Sequence, residues 1–514
     1  MSRLAGLDRL AHALRPARRP RLAAVGAVAA LAAALAFPAV LPAALAAPDP
    51  GPPPYEPKLP APALSGEVPR VVPAFPIQYS GVQQRPFFDV FMWQNFIALM
   101  WPAEPGSHGV PYRPDDPSVF GDYSAGRVPV WMTWKQSFDL FPGAGQTPVG
   151  WDAPNGTPDV CTNVEETPGK PVFVRVSKFR TVADEVNQAF GGPLPDQTGL
   201  FTRYEVRMNR AEYDFIRDNG YYDQANWPSG GIYLPASNAG AVGSIEIKAA
   251  WRDLTEVPGE YRDRFFTTSA LAVVPETCTG PESPGGQPTK CRCRNLEVGL
   301  VGFHVAHKTE QFPQWVWSTF EQADNLGDDD VTPTPAGMTP SYYDPEAYRK
   351  HRGVPRVNPA AHPGSSRVPA ADDFDPTPIN VVRLGQIPST PQTSSGKDVS
   401  TLALNRLYRT GVLADSVWRY YLLVGSQWST LPSAPYPTPQ PYISPPDFGC
   451  EDGAAPAVGG VPFPQCLLAN VTMETYHQYD SCQNCHQGAQ RAGADSSWML
   501  ATDSTPVSTG GSSQ

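Results

Sequence analysis

The pattern of apolar and polar positions predicts strands in the middle of the chain. Residues 172–176, 204–208 and 244–251 alternate between the two kinds of residue, which is the period of a half-buried strand. A further strand is predicted at residues 265–274. Residues 298–308 form an apolar run with glycines inside it, which is typical of a buried strand that other groups approach closely. The middle of the chain is therefore predicted to be β-rich.

Helical periodicity appears on either side of these strands and between them. Apolar residues recur on one face of residues 87–100, and residues 210–217 predict a short amphipathic helix. The same periodicity predicts helix within residues 402–423. Near the C-terminus, residues 470–477 predict one short helix, and a second is expected to begin at Ser481. The fold class is therefore predicted to be α+β, with a loop-rich, sheet-centred large domain and short helices.

Composition divides the chain into segments. Residues 1–47 form the N-terminal segment, and residues 48–75 are a proline-rich leader that is expected to be extended and mobile. Residues 76–440 are predicted to form the large β-rich domain, which contains a long loop at about 332–395. Residues 441–514 are predicted to be a separate C-terminal segment that packs on this domain.

The N-terminal segment has the parts of an export signal. It contains several arginines, an apolar run at residues 22–41 and the small-residue site Ala44-Leu45-Ala46. The protein is therefore predicted to be exported, into the periplasm of a bacterium, with cleavage near Ala46 and no stable membrane insertion afterwards. Because the apolar run is long enough to span a bilayer, an uncleaved anchor is the alternative. The choice between Sec and twin-arginine export stays open.

Charge and composition limit the partners. The formal net charge is −11. Cleavage of the N-terminal segment would remove its arginines and leave the mature chain still more acidic. This balance argues against nucleic acid, whose binding needs a basic surface. An acidic protein is compatible with a basic redox partner protein. The chain has 61 prolines but also 54 aromatic residues (12 Trp, 20 Tyr and 22 Phe), which indicates an ordered, loop-rich protein rather than a disordered one.

The chemistry is most specific at Cys482-Gln483-Asn484-Cys485-His486. A Cys-x-x-Cys-His sequence is the signature of covalent haem c attachment. Two thiols one helical turn apart add to the two vinyl groups of one haem, and the following histidine supplies an axial nitrogen to the iron. A thioredoxin-like pair would need a βαβ context, and half a zinc site would need a second pair of ligands. We therefore predict one haem c, bound through Cys482 and Cys485, with His486 as an axial iron ligand.

The remaining six cysteines predict disulfides, because an even number in an oxidising compartment favours pairing. Cys450 and Cys466 flank a loop and are natural partners. Cys291 and Cys293 are too close in sequence to pair comfortably with each other. Cys278 is therefore expected to pair with one of them and Cys161 with the other; buried thiols are the alternative.

The position of the haem sequence is unusual, since only 28 residues follow His486. An ordinary small cytochrome c begins with this sequence, so here the haem must lie between the C-terminal segment and the large domain. Met473 is ranked first as second axial ligand, His307 and His304 next, and Met499 last. The two histidines on one strand point to opposite faces, so at most one is expected to reach the iron. An open sixth site is the alternative.

Several segments resemble one known family. They are residues 93–102, 245–252, 301–309, 416–420 and 472–476, together with the haem sequence. This combination resembles large exported bacterial mono-haem proteins of the cytochrome c family, and the likeness covers most of the mature chain. The resemblance implies one haem c at Cys482, Cys485 and His486, and it implies no substrate. It also marks His304, His307, Glu246 and Lys248 without giving them roles, and the last two also fit a plain buried ion pair.

The predicted function is electron transfer by a periplasmic c-type cytochrome to a redox partner protein. A haem-dependent oxidoreductase, peroxidase-like or oxidase-like, is the alternative, because the large domain exceeds what electron transfer needs. A haem-binding sensor module is a third possibility. No catalytic constellation is evident in the sequence, so the catalytic residues of such an enzyme are unknown.

Overall fold

The structure, a computed structural model, describes residues 54–79, 81–143, 145–156, 161, 172–173, 192–279, 290–346, 375–429, 467–478 and 481–504. The predicted export signal lies outside these residues, as do Cys450 and Cys466. Residues 347–374 of the predicted long loop also lie outside them. These described residues belong to one compact unit.

The described strands form one sheet, antiparallel except where β2 runs parallel to β5. The strands that were predicted at residues 204–208, 244–251, 265–274 and 298–308 are confirmed. The strands are β1 (Lys135–Gln136), β2 (Val172–Phe173), β3 (Arg203–Met208), β4 (Ile245–Asp253), β5 (Thr267–Thr279), β6 (Lys290–His307), β7 (Val316–Gln322) and β8 (Tyr421–Gln427).

β6 is the central strand of this sheet. β4 pairs with residues 298–307 of β6 along one edge. On the other edge β5 pairs with residues 290–299 and β7 with residues 302–307, so two strands follow each other along the same side. β8 then pairs with β7. This arrangement gives the second half of β6 a buried position with a strand on both sides.

Short helices surround the sheet, which confirms the α+β prediction at this level. They are α1 (Arg85–Leu99), α2 (Ser137–Leu140), α3 (Arg210–Asp218), α4 (Gly259–Arg262), α5 (Thr401–Thr410), α6 (Cys482–Arg491) and α7 (Trp498–Asp503). α3 confirms the short helix predicted at residues 210–217. Its N-cap Asn209 accepts a hydrogen bond from the backbone N–H of Glu212, which satisfies one of the first-turn donors.

α1 covers one face of the sheet, and its sequence explains why it is buried on nearly all sides. A helix that is apolar around its whole circumference must lie inside a protein. The Phe96 ring stacks on Phe320 of β7 at 4.3 Å between centroids, and the Trp93 ring stacks on Tyr408 of α5 at 5.0 Å. α1 therefore joins the sheet to α5 in the main core.

The other face of the sheet is covered by residues 467–478. The Asn470 side-chain amide donates to Thr319 Oγ1 at 2.8 Å and to the Phe320 carbonyl at 2.9 Å. The Tyr204 hydroxyl donates to the Thr472 carbonyl at 2.8 Å. These contacts attach residues 467–478 to the sheet.

Two predicted helices are corrected by the structure. α5 ends at Thr410, before Gly411, and the last residues of the predicted helical segment, 421–423, belong to β8 because they pair with β7. Residues 470–477 form successive turns rather than one helix. Here the Asn470 side chain accepts from the Thr472 N–H at 2.9 Å, and such a bond competes with helical hydrogen bonds.

The proline-rich leader is anchored rather than mobile over its described part. The Tyr55 N–H donates to Ser394 Oγ at 2.7 Å, and the Ser394 N–H donates back to the Tyr55 carbonyl. Farther along, the Val72 N–H donates to Gln311 Oε1 at 2.8 Å. These hydrogen bonds satisfy backbone groups that composition alone would leave to water.

One predicted disulfide is present. Cys161 is bonded to Cys293, which confirms that Cys161 pairs with one of the two closely spaced cysteines. Cys291 is also disulfide-bonded. The side chain of Cys278 and the pair Cys450 and Cys466 lie outside the described part. Within the residues that the structure describes, no helix is long and apolar enough to cross a membrane.

Candidate haem-attachment site

The Cys-x-x-Cys-His sequence occupies the first turns of α6, as the prediction of a helix after Ser481 requires. The Cys485 N–H donates to the Ser481 carbonyl at 3.0 Å, so Cys482 and Cys485 lie one turn apart. Both are thiols of intermediate exposure. Cys482 packs against the main core and against the smaller cluster that contains Leu468. Cys482 therefore lies between α6 and these two clusters.

His486 is oriented by a backbone carbonyl. Its Nδ1 lies 2.7 Å from the Ser496 oxygen, so Nδ1 carries the proton that is donated there. The ring packs on Trp317 of β7 with 4.2 Å between centroids and an interplanar angle of 46°. No described residue hydrogen-bonds Nε2, which this tautomer leaves with its lone pair. Burial lowers the pKa of His486 to about 4, against the opposing effect of the Ser496 carbonyl, so the ring is neutral at neutral pH.

The loop that presents the Ser496 carbonyl is itself fixed. Asp495 and Ser496 both have positive φ, at 49° and 66°, a backbone region that is costly for such residues. Three contacts hold this turn: Asp495 pairs with Lys308, it accepts from the Leu234 N–H at 2.7 Å, and its carbonyl accepts from Trp315 Nε1 at 3.0 Å. The orientation of His486 thus depends on groups from the end of β6 and the start of β7.

His304 lies on β6, on the face that residues 467–478 cover. Its Nε2 lies 3.2 Å from Glu474 Oε1. Its Nδ1 is buried and has no hydrogen-bond partner among the described residues. Lys248 is directly opposite His304 on β4. Thr319 pairs with His304 on the other side, and Trp317, two positions along β7 on the same face, packs on the His486 ring.

His307 points to the opposite face of β6, which confirms the period-two prediction for the two histidines. Its Nδ1 lies 2.8 Å from Asn95 Oδ1 and its Nε2 lies 2.6 Å from Ser237 Oγ. The ring also stacks on Phe91 of α1. Both nitrogens therefore have hydrogen-bond partners, and burial lowers the pKa of His307 to about 3. These contacts make His307 a neutral, structural histidine of the core.

The two candidate methionines lie in apolar clusters. Met473 is completely buried with Tyr204, Val301 and Tyr476. Met499 of α7 is buried in the main core. Methionine commonly fills such gaps. Neither position has the polar second partner that orients the histidines.

A buried polar side chain within the Cys-x-x-Cys-His sequence has no hydrogen bond to any described residue. Gln483 is 5% exposed, and neither its Nε2 nor its Oε1 is hydrogen-bonded among the described residues. Its backbone N–H donates to Gln427 Oε1 at 3.1 Å, so the main chain is satisfied while the side chain is not. Buried amides of this kind normally have partners.

The donor set of Cys482, Cys485 and His486 is compatible with a haem, because the porphyrin supplies four nitrogens and the protein needs to supply only axial ligands.

No protein-family profile, curated protein or solved structure matches this chain. The site must therefore be judged from its own residues. In the described part of the chain, no three His, Cys, Asp or Glu side chains converge as a ready-made metal site.

A group of buried carboxyls lies next to this site, and sequence reasoning did not find it. Glu246 was marked with Lys248, and its buried carboxyl lies near Glu212, Ser497 and Asp495, which all act on its pKa. Two buried carboxyls near each other do not both ionise readily, because their charges repel. Burial raises the pKa of Glu212 well above its usual value, and the charge of Glu246 adds to this effect. The Lys308–Asp495 pair adjoins them.

The residues that position His486 were also missed. Ser496 acts through its backbone carbonyl, which no side-chain motif reveals. Sequence patterns gave Trp317 no role, and Glu474 entered only as part of the stretch of family resemblance at residues 472–476. Glu474 could have been suspected, because it is the only acidic residue between Leu467 and Gln478 and a partly buried carboxylate needs a partner.

Proposed function

We propose that this protein is an exported c-type cytochrome that carries one covalent haem and transfers electrons to a redox partner protein. The observation that carries the proposal is the geometry of His486. His486 follows two cysteines that lie one helical turn apart, and its Nδ1–H donates to a backbone carbonyl. Its Nε2 is therefore unprotonated, and its lone pair could bind a metal. Histidines that bind metals commonly use their other nitrogen in this way.

Within this proposal, Cys482 and Cys485 would form thioether bonds to the haem, and His486 would be an axial ligand. The bound haem would supply the one-electron redox couple. The Ser496 carbonyl keeps the imidazole in the required tautomer, and Trp317 limits the freedom of the ring. Cys482 packs against apolar residues, which keeps water away from that side of the attachment helix.

The proposed location outside the cytoplasm rests on the sequence of residues 1–47. The Cys161–Cys293 disulfide is compatible with it, because such bonds persist in oxidising compartments. Haem is attached to c-type cytochromes in the same compartment in bacteria.

The test is expression with a haem c maturation system, followed by a pyridine haemochrome assay of the denatured protein. We expect one covalent haem per chain, and none in the Cys482→Ala, Cys485→Ala double variant. The matched control is Cys161→Ala with Cys293→Ala, which removes two cysteines at the disulfide and should keep the haem. Covalent haem in the first double variant, or its absence from the wild type, would contradict the proposal.

Electron transfer is tested on the same preparation. The haem should be reduced by dithionite and reoxidised by a soluble oxidised cytochrome c, with a return of the original spectrum. A protein that instead consumes hydrogen peroxide or oxygen catalytically would belong to the peroxidase-like or oxidase-like class.

A further inference from the structure

His304 combines two features that are seldom found together in a structural histidine. One ring nitrogen meets a carboxylate, Glu474, at 3.2 Å. The other, Nδ1, is buried and has no hydrogen-bond partner within the described residues. A buried donor or acceptor without a partner is unfavourable. A metal ion would satisfy it, and the pairing of a carboxylate with the other nitrogen is the common environment of a metal-binding histidine.

We propose that His304 is the second axial ligand, so that the haem iron is held by two histidines. This inference rests on the proposed function, because it assumes that a haem is attached at Cys482 and Cys485. It assigns the sixth coordination position, which an electron carrier fills and an enzyme with an open iron does not.

The location of His304 supports the assignment. It projects from the sheet face that residues 467–478 cover, the chain segment that leads into the attachment helix. On the neighbouring strand β7, Thr319 pairs with His304, and Trp317, two positions away on the same face, packs on the His486 ring with 4.2 Å between centroids. Thr319 and Lys248 flank His304 on the neighbouring strands. The two imidazoles therefore come from different parts of the fold, one from β6 and one from α6.

The other three candidate ligands already have different environments in the fold. His307 uses both nitrogens in hydrogen bonds, to Asn95 and Ser237. Met473 is enclosed by apolar side chains, and Met499 is part of the main core. Binding iron would require each of these to abandon an existing environment, whereas His304 would gain a partner for an atom that has none.

Glu474 is then a positioning residue. One carboxylate oxygen meets His304, while the other accepts the Asn470 N–H at 2.8 Å. The carboxylate is therefore fixed by the same turn that attaches residues 467–478 to the sheet. A carboxylate bonded to the outer nitrogen makes an imidazole a stronger donor, so it favours the oxidised iron.

The experiment uses the haem-loaded protein and its optical and low-temperature electron paramagnetic resonance spectra. The wild type should be low-spin in both redox states, lack the long-wavelength methionine–iron band and bind carbon monoxide slowly. His304→Ala should become high-spin and bind carbon monoxide at once, and added imidazole should restore the low-spin spectrum. His304→Met should remain low-spin and acquire the methionine–iron band.

Met473→Leu is the matched control, a buried residue of the same segment whose loss should leave the spectrum unchanged. Glu474→Gln should stay low-spin but raise the midpoint potential, which a purely structural role would not do. A low-spin His304→Ala protein, or loss of a methionine band in Met473→Leu, would overturn the assignment. The haemochrome assay separates this outcome from failure of haem attachment, since haem content is measured on every variant.

Discussion

Replacing Gly302 by alanine tests the contact that attaches the C-terminal segment to the sheet. Gly302 lies on β6 between Ala250 of β4 and Glu321 of β7. A Cβ atom added to it would lie 2.3 Å from Thr472 Oγ1 and 3.0 Å from Asn470 Oδ1. Contacts this short are not tolerated, so either the segment or the strand must move.

The size of the effect follows from what holds the two side chains. The Asn470 amide has two hydrogen bonds to β7, and Thr472 bonds to Asn470 through its hydroxyl at 2.7 Å. Losing two such bonds costs ~2 kcal/mol, and overpacking typically adds ~1–3 kcal/mol. The lower conformational entropy of the unfolded alanine variant offsets ~0.5–1 kcal/mol of this destabilisation. Gly302→Ala should therefore destabilise the protein by about 2–4 kcal/mol.

The assay is urea unfolding followed by tryptophan fluorescence, with the free energy of unfolding taken from linear extrapolation. Thr472→Ala removes the atom nearest to the new methyl group. The double variant Gly302→Ala, Thr472→Ala should thus be more stable than the sum of the single effects predicts, by about 1 kcal/mol or more. Gly425→Ala in β8 is the control, because its Cβ would meet only the flexible end of Leu468 at 3.1 Å. Additive effects of the two substitutions, or an equal loss in Gly425→Ala, would refute the reasoning.

Three further predictions concern buried ionisable groups. Asp495→Asn leaves the Lys308 ammonium buried without its anionic partner and should cost ~3–5 kcal/mol in urea unfolding; a loss below 1 kcal/mol would contradict the buried pair. The folded-state pKa of Glu212 is raised, chiefly by burial. The contribution of this group to stability is therefore fully present in acid, and it is lost as the pH rises above the pKa that Glu212 has in the unfolded chain. Glu212→Gln should therefore flatten the decline in stability between pH 5 and pH 8, and an unchanged slope would argue against it. For His307 stability changes with pH in the opposite direction, because burial lowers the folded-state pKa to about 3. Stability should fall by up to ~5 kcal/mol as the pH drops below about 6.5. The His307→Gln variant should lose less stability over the same range.

Much of the sheet could be predicted from local pattern, because a strand's geometry places alternate side chains on opposite faces. The same rule separated His304 from His307 before their surroundings were known. Residues 402–423 show where local pattern failed: their first part is helical, but residues 421–423 are drawn into the sheet by pairing with β7. Propensity over a few residues cannot anticipate a partner strand about a hundred residues earlier in the chain.

The sequence by itself carries the proposed attachment chemistry, since Cys482, Cys485 and His486 are neighbours along one helical turn and their spacing needs no tertiary contact. It also predicted that residues outside this helix complete the proposed site. Only the tertiary structure decided how that happens. Glu474 reaches His304 across 170 positions, because residues 467–478 return to cover one face of β6. The Ser496 carbonyl reaches His486 because Lys308, Leu234 and Trp315 hold the turn that presents it. Contacts of that kind depend on the path of the whole chain, and no local periodicity encodes it.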